Sequence, residues 1–381
     1  MERIYMDHAA TSPMHPEVIE KMIPYMADVF GNPSSIHSFG RESRHILDEA
    51  RKTVSKSIGA KENEIVFTSG GTEADNTAII GYALANRHKG NHIITTTIEH
   101  HAVLHTCEYL EKHGFKVTYL PVNEHGQVTA QQVANSLTDE TILVTIMYGN
   151  NEVGTIQPIE AIGHLVKPHQ AVFHTDAVQA YGLVPINVEE LGIDLLSVSA
   201  HKINGPKGTG FLYVRQGIKL TPHLYGGEQE RKRRAGTENV AGIVGLSQAV
   251  LISHGTIEAK RKQYLEFRQT FISILDESGV SYNINGHTEE TLSHILNISF
   301  PGTNVESMLV NLDLSGIAVS SGSACTAGSI EPSHVLVAMF GKDSERIISS
   351  IRYSFGLGNT LDQVIQAAQK TVTIVKRLTQ Q

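Results

Sequence analysis

Two cysteines, no tryptophan and no apolar run of membrane-spanning length mark this 381-residue sequence by what it lacks. With only Cys107 and Cys325, a disulfide framework is excluded. Each thiol must be read from its own surroundings. No stretch approaches the roughly 20 apolar residues that a spanning helix needs. Met1-Glu2-Arg3-Ile4-Tyr5-Met6-Asp7 carries no signal-peptide core. Together with the cysteine usage, this leads us to expect a reducing, cytoplasmic setting. Acidic residues number 39 against 31 basic ones, a net charge of −8. That balance speaks against nucleic acid or an anionic membrane as the main partner. Internal repeats and low-complexity linkers are also missing. What remains is ordinary globular composition, 40% hydrophobic and 18% charged, in a chain long enough for two domains.

Short apolar runs alternate with helical spacing. Ile65–Phe67, Ile93–Thr97, Thr141–Tyr148, Ala171–Phe173, Ile193–Val198 and Gly210–Val214 read as strands. Helices are predicted from Pro16, over Arg41–Ile58, after Glu73, after His101 and from Val240. Runs that are apolar almost throughout suit strands covered on both faces. The alternation predicts the α/β class with a mostly parallel sheet. From Glu258 the pattern becomes a long helix, a strand at Leu296–Phe300 and a last helix from Asp362. We therefore expect an N-terminal arm over 1–15, a large domain over 16–257 and a smaller α+β domain over 258–381, with the arm packed on the small domain.

In such sheets the site lies beyond the carboxyl ends of the strands. Lys202 follows the Ile193–Val198 run directly. Burial on one side lowers a lysine pKa and frees the amine to form a Schiff base, including one with pyridoxal phosphate. A lysine so placed is, taken alone, more often a solvated loop residue, and other stretches must decide. Thr68-Ser69-Gly70-Gly71-Thr72-Glu73 has the strand, glycine turn and helix start of a phosphate cradle, although Thr72 could simply cap the helix. His100, Asn151, Asp176 and Gln179 also follow predicted strands. A strand-end aspartate can stabilise a protonated pyridine nitrogen. The run Arg231-Lys232-Arg233-Arg234 is open to three readings: a solvated loop, a phosphate neighbour or an RNA-facing patch, the last weakest in an acidic chain. Thr237 is either the cap of the next helix or a phosphate ligand. His101 and His105 stand four apart on a helix, but no partner cysteines or HExxH pattern accompany them, so no metal site is expected.

The two cysteines differ. Leu104, Cys107 and Leu110 share one helical face, so Cys107 reads as a core residue. Ser320-Ser321-Gly322-Ser323-Ala324-Cys325-Thr326-Ala327-Gly328-Ser329 has almost nothing to bury. An exposed thiol on a mobile arm suits a nucleophile that visits two places; an incidental loop cysteine is the bland alternative. Arg352 lies inside the strand-like Ser350-Ile351-Arg352-Tyr353-Ser354 and needs an anion, either a substrate carboxylate or a structural partner.

Taken together, Gly70-Gly71-Thr72-Glu73, Asn150-Asn151-Glu152-Val153-Gly154, His174-Thr175-Asp176-Ala177-Val178-Gln179, Ser199-Ala200-His201-Lys202, Arg234-Ala235-Gly236-Thr237 and Ser321-Gly322-Ser323-Ala324-Cys325 occur in this order. The set resembles the cysteine desulfurases of the NifS/IscS type over essentially the whole chain. The resemblance implies a pyridoxal-phosphate transferase of fold type I, a homodimer with its site at the subunit interface. It implies Lys202 as the Schiff-base lysine and His100 stacked on the ring, with a catalytic role in moving protons. Asp176 would pair with the pyridine nitrogen and Gln179 with the ring hydroxyl. Gly71, Thr72, Ser199 and His201 would hold the phosphate, with Thr237 arriving from the other subunit. Asn151 and Arg352 would contact cofactor and substrate, with Asn151 among the cofactor-binding residues and Arg352 holding the carboxylate of L-cysteine. Cys325 would take the sulfur as a persulfide, leaving L-alanine, and pass it to an iron–sulfur scaffold or a tRNA thiolation enzyme. Whether Cys325 also serves as a transient iron–sulfur ligand stays open. The rivals are a selenocysteine lyase or aminotransferase of the same fold, and a non-enzymatic sulfur-relay protein.

Overall fold

A computed structural model describes residues 3–321 and 332–380; within 322–331 it describes only the backbone of the antiparallel pair Cys325–Thr326 and Ser329–Ile330. The Cys325 side chain, and with it the role expected of that thiol, lies outside the described residues. The chain starts with a two-residue strand, β1 (Ile4–Tyr5). The seven-stranded sheet that dominates the molecule is built from β2 (Ile65–Thr68), β3 (His92–Thr96), β4 (Lys116–Leu120), β5 (Thr141–Thr145), β6 (Val172–Asp176), β7 (Leu195–Ser199) and β8 (Gly210–Val214). Its order is β2-β8-β7-β6-β5-β3-β4, and β8 alone runs antiparallel to both neighbours.

The apolar runs have their explanation in coverage on both faces. In β2, Ile65 and Phe67 enter one hydrophobic core while Val66 enters another. In β7, Leu196 and Val198 face the first core and Leu195 the second. Period-2 alternation then puts apolar residues on both faces of each strand, with buried Thr68, Ser197 and Ser199 as the polar exceptions. Helices α1 (Pro16–Ala27), α2 (Ser38–Ser57), α3 (Gly71–Asn86) and α4 (His101–Lys112) supply the covering layers, with α3 and α4 on the second core. Cys107 is fully buried on α4 within that core, as its spacing predicts.

A separate core forms around Phe267, Phe271, Leu296, Tyr353 and Val375. It is lined by an antiparallel sheet in which β10 (Ile295–Ser299) lies between β9 (Asn283–Asn285) and Ser350–Ser354. Helices Ile257–Ser278 and Leu361–Thr379 pack there. Ile4 and Met6 join this core, because β1 pairs in parallel with β11 (Ile317–Ala318). The N-terminal segment thus spans from this core to the carboxyl end of β7. Among the described residues, no single helix is long and apolar enough to cross a membrane.

Candidate active site

The carboxyl ends of β2, β5, β6 and β7 open on a cavity of about 660 Å³. Its lining includes Gly71, Thr72, His100, Asn151, Asp176, Gln179, Ser199, His201, Lys202 and Arg352. Of the described residues expected at the site, Thr237 alone is absent from the lining; it is exposed on the surface.

Lys202 occupies a 3-10 turn, Ala200–Ile203, that ends in Asn204 with φ 62°, a left-handed position that asparagine tolerates. Asn204 is held there by donating to the Pro13 carbonyl at 2.9 Å. The Lys202 amine donates to the carbonyls of Ala9 (2.5 Å) and Ala10 (2.8 Å). Burial, with the nearby Arg352 charge, pulls its pKa down to about 8. A quantity of free amine is therefore present at neutral pH, which an exposed lysine would not offer.

The anion cradle is the start of α3. Gly70 carries φ 149° and leads into Gly71 and Thr72 at the helix N-terminus, where unpaired backbone N–H groups point outward. Glu73 closes the turn by accepting from Ser69 N–H at 2.8 Å and pairing with Arg234 Nε at 2.8 Å. So Arg234, in the charge run after Glu228, is spent on the cradle's own scaffold. Arg233 donates to the Asn63 carbonyl, and buried Glu230 takes both terminal nitrogens of Arg51 at 2.9 and 2.6 Å. Within the run, Arg233 and Arg234 are thus engaged by the chain itself, while Arg231 and Lys232 are exposed. A Cβ on Gly71 would approach Val178 Cγ2 to 2.7 Å. Gly71→Ala is expected to weaken binding of an anionic ligand about tenfold, since overpacking here costs about 1–3 kcal/mol; titration with pyridoxal phosphate checks it.

His100 caps α4: its Nδ1 accepts from Ala102 N–H at 3.1 Å, which places the ring proton on Nε2. Burial, then the Lys202 charge, lowers its pKa to about 4, so the ring is neutral. Asp176, at the end of β6, accepts from Val178 N–H at 2.8 Å and is raised to about 6 by burial. Gln179 donates to the Ala9 carbonyl at 2.9 Å, and its own oxygen lies 3.3 Å from His294 Nε2. His201 Nδ1 and Thr11 Oγ1 are 3.0 Å apart.

Beneath Asp176 lies a second, fully buried acid, Asp75 of α3. Burial and the charge of Asp176 raise it well above the usual carboxylate range. His174 reaches Thr145 Oγ1 at 2.8 Å through Nδ1 and Ser197 Oγ at 3.0 Å through Nε2, with Asp75 Oδ1 3.6 Å away. Burial keeps His174 neutral, at about 3. Asp75 then stays protonated, and Asp176 is left as the anion of the pair. On the far wall, Ser333 donates to buried Glu152 at 2.5 Å and His334 Nε2 to the Glu99 carbonyl at 2.9 Å. The His101 and His105 rings lie 5.0 Å apart between centroids, tilted by 31°, yet among the described residues no group of three histidine, cysteine or acidic side chains is placed to hold a metal.

Asp7, Asp75 and Glu152 were not expected at the site from sequence. Asp75 could have been found by helical spacing, one turn after Thr72 on the inward face of α3. Arg352 does hold an ion pair: Nη2 lies 2.8 Å from Asp7 Oδ1, and Nη1 donates to the Asn151 carbonyl at 2.9 Å.

The aminotransferase class-V family model matches residues 4–366. The chain belongs to this family, in its cysteine desulfurase branch. It is 64% identical over 379 residues, all of both chains, to a protein named putative cysteine desulfurase IscS 1 from Bacillus subtilis (strain 168). Among solved structures it resembles a NifS-like protein with a TM-score of 0.91 at 37% identity, over 98% of this chain and 100% of that one. It also resembles SspA in complex with cysteine, with a TM-score of 0.81 at 38% identity, over 92% and 98% of the two chains. These likenesses agree with the mostly parallel sheet.

Proposed function

We propose that this chain removes sulfur from L-cysteine with pyridoxal phosphate, giving L-alanine and a persulfide on Cys325. The observation that carries the reading is a single cavity holding a lysine of lowered pKa, an anion-binding helix start, a buried aspartate and a buried arginine. The donor set fits the cofactor. Gly71, Thr72, Ser199 and His201 would bind its phosphate, Asp176 its pyridine nitrogen and Gln179 its ring hydroxyl, with His100 against the ring face. Bound there, the cofactor supplies an electron sink for charge released at the substrate α-carbon.

The chain's residues do the rest. Arg352 and Asn151 orient L-cysteine, Arg352 through the carboxylate. Lys202, as the free amine, moves the α-proton. Asp176 stays anionic because Asp75 takes the proton the pair can hold. The Cys325 thiolate attacks the substrate sulfur: the new S–S bond forms as the C–S bond breaks, its electron pair going to the carbon side, which takes up a proton and leaves as L-alanine. An acceptor protein, an iron–sulfur scaffold or a tRNA thiolation enzyme, then receives the sulfur.

We read residues 1–15 as an arm, 16–257 as the cofactor-binding domain and 258–381 as the small domain carrying the cysteine loop. The working form is a cytoplasmic homodimer. Exposed Ile19, Ile23 and Met26 on α1, with Phe30, Ile36 and Phe39 after it, form an apolar surface suited to a second copy, and exposed Thr237 suits a role across that contact. The test is simultaneous measurement of L-alanine and sulfide from L-cysteine with excess dithiol present, which reduces the persulfide and releases its outer sulfur as sulfide; unequal amounts, or alanine without sulfide, would overturn the reading. A second test uses the Lys202 pKa. In cofactor-free protein, covalent uptake of pyridoxal phosphate should rise about tenfold per pH unit up to about pH 8 and then level, because only the neutral amine reacts. A flat profile from pH 6 to 9 would contradict the lowered pKa.

A further inference from the structure

Arg352 is almost fully buried, and its charge is matched by Asp7, 2.8 Å away. The two residues are 345 positions apart in sequence. They meet because the N-terminal segment is stitched along the edge of Ser350–Ser354. Asp7 bridges Ser354 in parallel, Ala9 N–H donates to Ser354 Oγ at 2.9 Å, and Asn359 Nδ2 donates to the Tyr5 carbonyl at 2.9 Å. Tyr5 Oη donates back to the carbonyls of Asp7 (3.0 Å) and Thr11 (2.9 Å), and Ala10 N–H to Asp7 O at 3.0 Å. Within this same turn the carbonyls of Ala9 and Ala10 receive the Lys202 amine. One four-residue stretch, Asp7–Ala10, therefore holds both Lys202 and Arg352.

We propose that Asp7 is a positioning residue for substrate recognition: it pins Arg352 so that the carboxylate anchor stands at a fixed separation from Lys202, which makes the N-terminal turn a selector for α-amino acids over amines that lack the carboxylate. The proposal rests on the reading of Arg352 as that anchor. A guanidinium has five N–H donors. Asp7 and the Asn151 carbonyl use two, so a substrate carboxylate can bind without displacing Asp7. The arginine is immobilised before substrate arrives, and the buried charge is balanced throughout.

The experiment compares the parent holoenzyme with Asp7→Ala, Asp7→Asn and Arg352→Gln. It measures kcat and KM for L-cysteine, inhibition by cysteamine, which has the amine and thiol without the carboxylate, and binding of L-alanine followed by the visible spectrum of the loaded protein. Asp7→Ala should raise the L-cysteine KM and weaken L-alanine binding about tenfold. Its kcat should stay within about threefold and cysteamine inhibition should not change. Asp7→Asn keeps an acceptor for Arg352 and should recover most of the loss. An unchanged KM with a lower melting temperature in Asp7→Ala would reduce Asp7 to a structural contact and overturn the proposal. A lower KM would make Asp7 a competitor of the substrate and overturn it as well. If Arg352→Gln itself leaves the L-cysteine KM unaltered, the anchor reading fails; if Arg352→Gln raises KM and Asp7→Ala does not, the anchor stands and only the role of Asp7 falls.

Discussion

Lys202→Ala is expected to lower turnover of L-cysteine by at least about 10⁴-fold, the upper end of what a positioned proton-transfer group contributes. Two losses coincide. The amine that moves the α-proton disappears, and so does the covalent hold on pyridoxal phosphate. Gel filtration should therefore strip the cofactor from the variant and not from the parent. Lys202→Arg separates charge from chemistry: the guanidinium keeps a cation near Asp176 but cannot give up its proton, so it should be as inactive as alanine. Removing the amine also leaves the Ala10 carbonyl without its donor, while the Ala9 carbonyl keeps Gln179 Nε2. If water does not replace it, that costs about 1–3 kcal/mol, so the melting temperature should fall modestly. Turnover within tenfold of the parent in either variant would remove Lys202 from the chemistry.

The sheet and most of the cavity were legible because α/β sheets place ligands beyond strand ends, and Asp176, Gln179 and Lys202 stand at the ends of apolar runs. What was not legible depends on partners distant in sequence. Asp75 looks like any polar residue on α3 until the helix is docked on the sheet, where it meets His174 and Asp176 in the interior. Asp7 sits beside a two-residue strand that has no periodicity of its own. Glu230 stands in a charge-dense stretch that reads as solvated, yet it is 7% exposed because Arg51 reaches it through the core. Strand β4 was also missed: it lies at the sheet edge, partly exposed, and lacks the continuous apolar run of its neighbours.

Cys325→Ser is expected to abolish both L-alanine and sulfide formation, to below about 1% of the parent, while cofactor binding and melting temperature stay unchanged. A serine hydroxyl is hardly ionised near neutral pH and is a hard nucleophile, so it cannot take a sulfur atom as a thiolate does. Cys107→Ser is the matched control. Cys107 is fully buried on α4, and burial pushes its thiol well above the ordinary range, so it carries no thiolate for reaction. That replacement puts a hydroxyl into an apolar core, at a cost of about 1–3 kcal/mol. It should lower the melting temperature and leave turnover per folded molecule intact. The two variants thus exchange their phenotypes, activity without stability for one thiol and stability without activity for the other. Were Cys325→Ser to form alanine at the parent rate, the thiol would not be the sulfur acceptor, and the same lysine, aspartate and arginine would have to be read as an aminotransferase or lyase site.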